Sequence, residues 1–188
     1  MNEIKGKIMN QVIITVPHSV CNTDSHIRHT CDFVALDAAE TMYFKFPDLK
    51  PIMLVADVNR DITDYNRKSS RSSRFRTALR DLLTNQPFCV LDVHSFPPEY
   101  PGEFDDAEVA IGSNNYKLEP YIKDVTKYLA DNGIRAYAVG NIIADIVQEV
   151  KDYGVPGLLF EFNEGLETEY RRYIAESIVD FVLVEMWA

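Results

Sequence analysis

Short apolar runs alternate along the chain with segments of helical periodicity. Residues 11–16 are rich in β-branched side chains and stop at Pro17, a pattern that predicts a buried strand running into a loop. Thr30 suits the N-cap of a helix through about residue 46, with Phe33, Leu36, Ala39, Tyr43 and Phe46 at helical spacing and Pro47 as its stop. A strand is predicted at 52–58, and a helix at 73–84 with Phe75, Leu79, Leu82 and Leu83 on one face. Residues 88–93 form an apolar strand interrupted only by Asp92. The alternation continues with a short strand at 108–111, a helix at 119–132 closed by Gly133, and a strand at 135–139. A helix at 142–153, a strand at 158–162 and a long helix at 168–187 complete it.

Strands that read as unbroken apolar runs between helices belong to a sheet covered on both faces. The expected fold is a single α/β domain over 1–188, with a mostly parallel or mixed sheet and helices on both sides. In such sheets ligands bind beyond the carboxyl ends of the strands, so the polar residues there carry most weight.

Composition narrows the function. The 188 residues are 46% hydrophobic and 26% charged, with 19 basic against 29 acidic side chains and a formal charge of −10. An acidic surface of this size repels phosphate backbones and anionic lipid, so neither nucleic acid nor membrane is expected as a partner. The one basic stretch, Arg67 to Arg80, has little aromatic interleaving and makes a weak nucleic-acid patch. No apolar run approaches the roughly 20 residues of a membrane span, and no leader-like segment stands at the N-terminus. Three cysteines (Cys21, Cys31, Cys89) do not make a disulfide framework, so a reduced, cytoplasmic setting is expected.

Two of the four histidines, His18 and His94, stand at strand ends in the same His-Ser context. Two imidazoles brought together there make half of a metal site. A third ligand is commonly a carboxylate; Asp32 is the first choice, with Asp24, Asp37 and Cys21 competing. Between the histidines the pattern Asp-x-Asn-Arg occurs twice, ending in Asn59-Arg60 and Asn66-Arg67. A guanidinium fork with an adjacent amide fits a carboxylate or a developing oxyanion; a solvated loop with local ion pairs is the competing reading. Glu161 interrupts an apolar strand, where burial would raise its pKa toward that of a general base, unless it faces solvent. Asp92 is a further ligand or a partner for His94. Tyr100 stands in a loop that could close over the site, and Tyr170, Tyr173 and Trp187 on the last helix belong to an interface or to the core.

Taken in order, Pro-His18-Ser, Arg60-Asp-Ile-Thr-Asp64-Tyr-Asn66-Arg67, Asp92-Val-His94-Ser-Phe-Pro and Phe-Glu161-Phe-Asn resemble the N-formylglutamate amidohydrolase family. That family is similar in fold to the zinc carboxypeptidases and aspartoacylases. The resemblance implies one zinc ion held by His18, His94 and an acidic residue, here Asp32. It implies Glu161 as the base, Arg60 on the scissile carbonyl, and Asn66 and Arg67 on a substrate carboxylate. The expected activity is hydrolysis of an amide or peptide bond beside a free carboxylate, in an N-acyl amino acid or a short peptide. The alternatives are a non-catalytic anion-binding protein on the same fold and a metal-dependent phosphoesterase. Oligomeric state is not legible.

Overall fold

The computed structural model describes residues 11–20, 31–46, 51–98, 106–140 and 144–183. Five consecutive buried residues form β1 (Val12–Val16), followed by α1 (Ala35–Lys45), β2 (Ile52–Val55), α2 (Arg74–Leu83) and β3 (Cys89–Phe96). The second half comprises β4 (Val109–Gly112), α3 (Glu119–Asp131), β5 (Ala136–Val139), α4 (Asp145–Asp152), β6 (Gly157–Asn163) and α5 (Thr168–Phe181). The strands form one sheet in the order β2-β1-β3-β6-β4-β5. β2, β1, β3 and β6 run parallel; β4 is antiparallel to β6, and β5 is parallel to β4. The sheet is therefore mixed.

The strand period of two sorts the core. Val12, Ile14, Val16, Leu91, Val93, Phe160 and Phe162 face α1, α3 and α5 in the larger apolar cluster. Ile13 and Val90 face the opposite way, against Phe75, Leu79 and Leu83 of α2 and Ile146 and Val150 of α4. β1 leads through α1 to β2 on one side, and the chain returns through α2 to β3 on the other. The crevice beyond β1 and β3 is thus a topological switch point, where such sheets take their ligands.

Helix ends follow local chemistry. Ser73 caps α2, its hydroxyl accepting from the Arg76 amide at 3.2 Å. Gly133 adopts φ +79 after α3, the left-handed conformation that closes a helix without a Cβ clash.

The first helix departs from its expected form. It begins at Ala35 instead of near residue 30, and Ala35, Ala38, Ala39 and Met42 make its buried face. Phe33 is 60% exposed and Tyr43 is at the surface. Asp32 lies before the helix, its amide donating to the His18 carbonyl at 3.0 Å, so it is not a first-turn carboxylate. Thr30 lies outside the described residues. β3 also extends past residue 93, which places His94 inside a strand.

Three arginines of the basic stretch are turned toward carboxylates of α4. Arg76 is fully buried and donates to Glu149 (Nε to Oε2 2.6 Å), to Asp145 (Nη2 to Oδ2 3.0 Å) and to the Tyr65 carbonyl at 2.9 Å. Arg71 holds Asp145 with two donors at 3.0 and 2.9 Å, and Arg80 reaches Glu149 at 3.1 Å. These arginines tie α2 and the loop before it to α4; pairing with carboxylates leaves no free basic stripe of Arg71, Arg76 and Arg80.

Cys31 is disulfide-bonded, while Cys89 is a buried free thiol whose burial pushes it up to about 12. A bridge needs only two cysteines, so the odd count does not support a reduced compartment. Among the described residues no helix is long and apolar enough to cross a membrane.

Candidate metal centre

His18 leaves β1 through Pro17, and His94 stands near the carboxyl end of β3, the next strand in the sheet. Their ring centroids are 4.9 Å apart, with planes at 71°. Asp32 lies between them: its Oδ2 is 3.2 Å from His18 Nδ1 and 2.7 Å from His94 Nδ1. All three residues are buried. Their ligand atoms lie within 4.8 Å of one another, and among the described residues this is the group that could hold a metal ion.

The far nitrogen of each ring faces a separate carboxylate. His18 Nε2 lies 2.8 Å from Asp64 Oδ1, and His94 Nε2 lies 3.2 Å from Asp92 Oδ2. Such outer carboxylates fix the tautomer of an imidazole so that its inner nitrogen offers a lone pair. Asp92 is held in turn by the Thr15 hydroxyl, which donates to Oδ1 at 2.6 Å.

The balance of protons shows whether a cation fits. Two neutral imidazoles carry two N–H groups, but four ring nitrogens face carboxylate oxygens. The shortage is of positive charge. Burial pushes the His94 imidazole down, yet the Asp92 charge and the hydrogen bonds to Asp32 and Asp92 outweigh it, raising its pKa well above the ordinary value. Burial likewise pushes Asp32 up, and its hydrogen bonds to the two histidines override this and hold it far below the carboxylate range. A centre that drives a proton onto a fully enclosed ring is suited to a divalent ion with nitrogen and oxygen ligands.

Glu161 pairs in register with His94 across β3 and β6, so both side chains stand on the same face of the sheet. Its carboxylate has no hydrogen-bond partner among the described residues. Burial raises its pKa to about 8; the His94 charge opposes the rise, and Asp32 and Asp92 add to it.

The loop after β2 closes the other side. Arg60 Nε donates to Asp64 Oδ2 at 3.3 Å, and its Nη1 is 3.9 Å from Asp32 Oδ1. Arg67, half exposed, places Nε 3.3 Å from the same Asp64 oxygen. Asn66 is buried and used at both ends of its amide: Nδ2 is 3.4 Å from His94 Nε2, and Oδ1 accepts from the Ile146 amide at 3.1 Å. Asn59 Nδ2 is, among the described residues, the buried side-chain polar atom without a partner.

Of the competing ligands, Asp37 is directed elsewhere, accepting from Arg171 and Arg172 at 3.0 Å each. Asp24, Cys21, Tyr100 and Trp187 lie outside the described residues. Tyr170 donates to Glu108 at 2.9 Å and stacks at 6.2 Å on Tyr173, which is partly exposed. Asp64 is the residue whose contact with His18 sequence reasoning missed. Its signal was the doubled Asp-x-Asn-Arg pattern, which drew attention to the arginines and passed over the acid.

No protein-family model and no curated protein sequence matches this chain. Solved structures do. The Agrobacterium tumefaciens gene product Atu2144 superposes with a TM-score of 0.69 at 13% identity, over 95% of this chain and 92% of that one. N-formylglutamate amidohydrolase from Ralstonia eutropha JMP134 gives 0.60 at 14% identity, over 94% and 92%. N-acetylmuramoyl-L-alanine amidase from Clostridium difficile 630 gives 0.55 at 15% identity, over 92% and 94%. The protein shares its fold with amidohydrolases and amidases, so the resemblance read from four short motifs extends to the architecture of nearly the whole chain.

Proposed function

We propose that the protein is a zinc-dependent hydrolase that cleaves an amide or peptide bond next to a free carboxylate. The observation that carries this reading is the meeting of two histidine Nδ1 atoms on Asp32, each ring backed by a carboxylate of its own. His18, Asp32 and His94 would hold the ion. Bound there, zinc would supply Lewis acidity and an acidified water.

The chain's residues do the rest. Glu161 takes the proton of the attacking water on its carboxylate and delivers it to the leaving amine. Burial raises its pKa to about 8 and a bound cation would draw it back down, so the carboxylate can hold and release a proton in this exchange. Arg60, close to Asp32, is placed to donate to the developing oxyanion, a role in which one good donor contributes roughly 3–4 kcal/mol. Arg67 reaches solvent and takes the substrate carboxylate, which sets the register of the scissile bond. Asn66, its Oδ1 held by the Ile146 amide of α4 and its Nδ2 beside His94, offers its amide N–H groups to the substrate carboxylate. The substrate class is an N-acyl amino acid or short peptide. A two-metal phosphoesterase finds less support, since the described residues offer one metal group and Asp92 is engaged by Thr15 and His94.

Glu161→Gln tests the reading. The variant is expected to keep its zinc stoichiometry and lose about 10²–10⁴-fold in turnover on a panel of N-acylated amino acids and short peptides. Undiminished turnover removes Glu161 as the base. Wild-type protein that binds no zinc overturns the proposal as a whole.

A further inference from the structure

Of the three ligand candidates, Asp32 has the least regular structure beneath it. His94 lies within β3, and His18 follows β1 by two residues. Asp32 sits in irregular backbone, with α1 starting only at Ala35. Its carboxylate must nevertheless meet two rings at hydrogen-bonding distance.

Two consecutive amides hold that backbone. The Asp32 N–H donates to the His18 carbonyl at 3.0 Å. The Phe33 N–H donates to Glu164 Oε1 at 3.3 Å, and that same oxygen accepts from the Ser95 hydroxyl at 2.8 Å. Glu164 itself is fixed to β3, its amide donating to the Phe96 carbonyl at 2.9 Å. One carboxylate oxygen thus joins the residue after Asp32 to the residue after His94, from a backbone position anchored on β3.

We infer that Glu164 is a positioning residue that holds the Asp32 segment against the strand carrying His94 and so sets the geometry of the metal centre. This rests on the metal-site reading above, although among the described residues Glu164 makes no hydrogen bond to the side chains of His18, Asp32 or His94. Toward its two described donors the latch needs an acceptor and not a charge, since the Phe33 amide and the Ser95 hydroxyl meet a single oxygen. The substitution Glu164→Gln keeps such an oxygen in place, whereas Glu164→Ala removes it.

The test compares E164A and E164Q with the wild type, without reductant so that the Cys31 disulfide stays closed. Cobalt(II) binding is followed by its visible spectrum, and exchange of the Phe33 amide is followed by NMR in metal-free protein. E164A is expected to bind cobalt about 10–100-fold more weakly and to exchange Phe33 faster, with E164Q close to the wild type in both. Rescue by glutamine separates positioning from a general loss of structure. Equal cobalt affinity in E164A and the wild type overturns the inference and leaves the metal reading standing, as does an E164Q as weak as E164A. Failure of the wild type to bind cobalt overturns both. If E164A does not fold, Ser95→Ala carries the test: weakened cobalt binding supports the latch, and unchanged binding overturns it.

Discussion

The arginine cluster between α2 and α4 and the imidazole cluster at the strand ends are both centred on buried side chains and both rich in carboxylates. They differ in where the positive charge comes from. Arg71, Arg76 and Arg80 bring permanent cations to Asp145 and Glu149, so that cluster is complete without a ligand. At the imidazole cluster the permanent charges of Arg60 and Arg67 go to Asp64, while His18 and His94 bring only conditional charge to Asp32 and Asp92. The first arrangement is closed and holds elements together; the second is short of a cation and suited to binding one. The two are joined, because Arg76 also holds the Tyr65 carbonyl and Ile146 holds the Asn66 side chain, which pins the loop that carries Asp64.

The largest expected effect falls on the arginine side. Arg76→Met leaves Asp145 and Glu149 short of their buried partner and should cost about 3–5 kcal/mol in urea unfolding. A loss under about 1 kcal/mol would mean that the cluster is far better hydrated than its burial implies.

The imidazole side should respond to metal instead. Zinc at about 100 times its dissociation constant should stabilise the wild type by about 2.7 kcal/mol and should leave His94→Ala unchanged. Equal zinc responses from the two proteins would place the binding elsewhere and erase the contrast.

The smallest effect is on pH dependence. Burial pushes the Asp145 carboxyl up, but the Arg71 hydrogen bond and the Arg76 charge outweigh it and hold it below its ordinary 3.8. A depressed carboxyl stabilises the fold above the unfolded-state value, and that contribution disappears as pH falls from about 3.8 through the lower native value. Asp145→Asn should therefore be less stable at neutral pH and lose less on acidification. Parallel stability–pH curves for the two proteins would exclude Asp145 from the acid response.

Most of the architecture is legible in the sequence because apolar runs and helix stops are local. Pro17 ending β1, Ser73 capping α2 and Gly133 closing α3 each act within a few residues. The direction of β4 is not legible, since an apolar tetrapeptide reads alike in a parallel and an antiparallel pairing. Nor is the start of α1, where the long-range bond from Asp32 to the His18 carbonyl overrides helical periodicity. The site divides in the same way. His18 and His94 are marked by their strand ends, and Glu161 by its contrast with apolar neighbours. Asp64 meets His18 from 46 positions away, and the doubled Asp-x-Asn-Arg pattern marks the acid without announcing its partner. Glu164 was hidden for another reason: its partners are a backbone amide and a serine, neither of which carries a chemical signature.

The in-register pairing of His94 with Glu161 has a consequence for how such a protein can diversify. Interstrand spacing sets the separation between the two backbones, and no change in loop length can widen or narrow it. Insertion of one residue into either strand would send one partner to the far side of the layer. Variation in target must then be written around this fixed pair, in the segment from Asp57 to Arg67, where added residues would not move the pair apart.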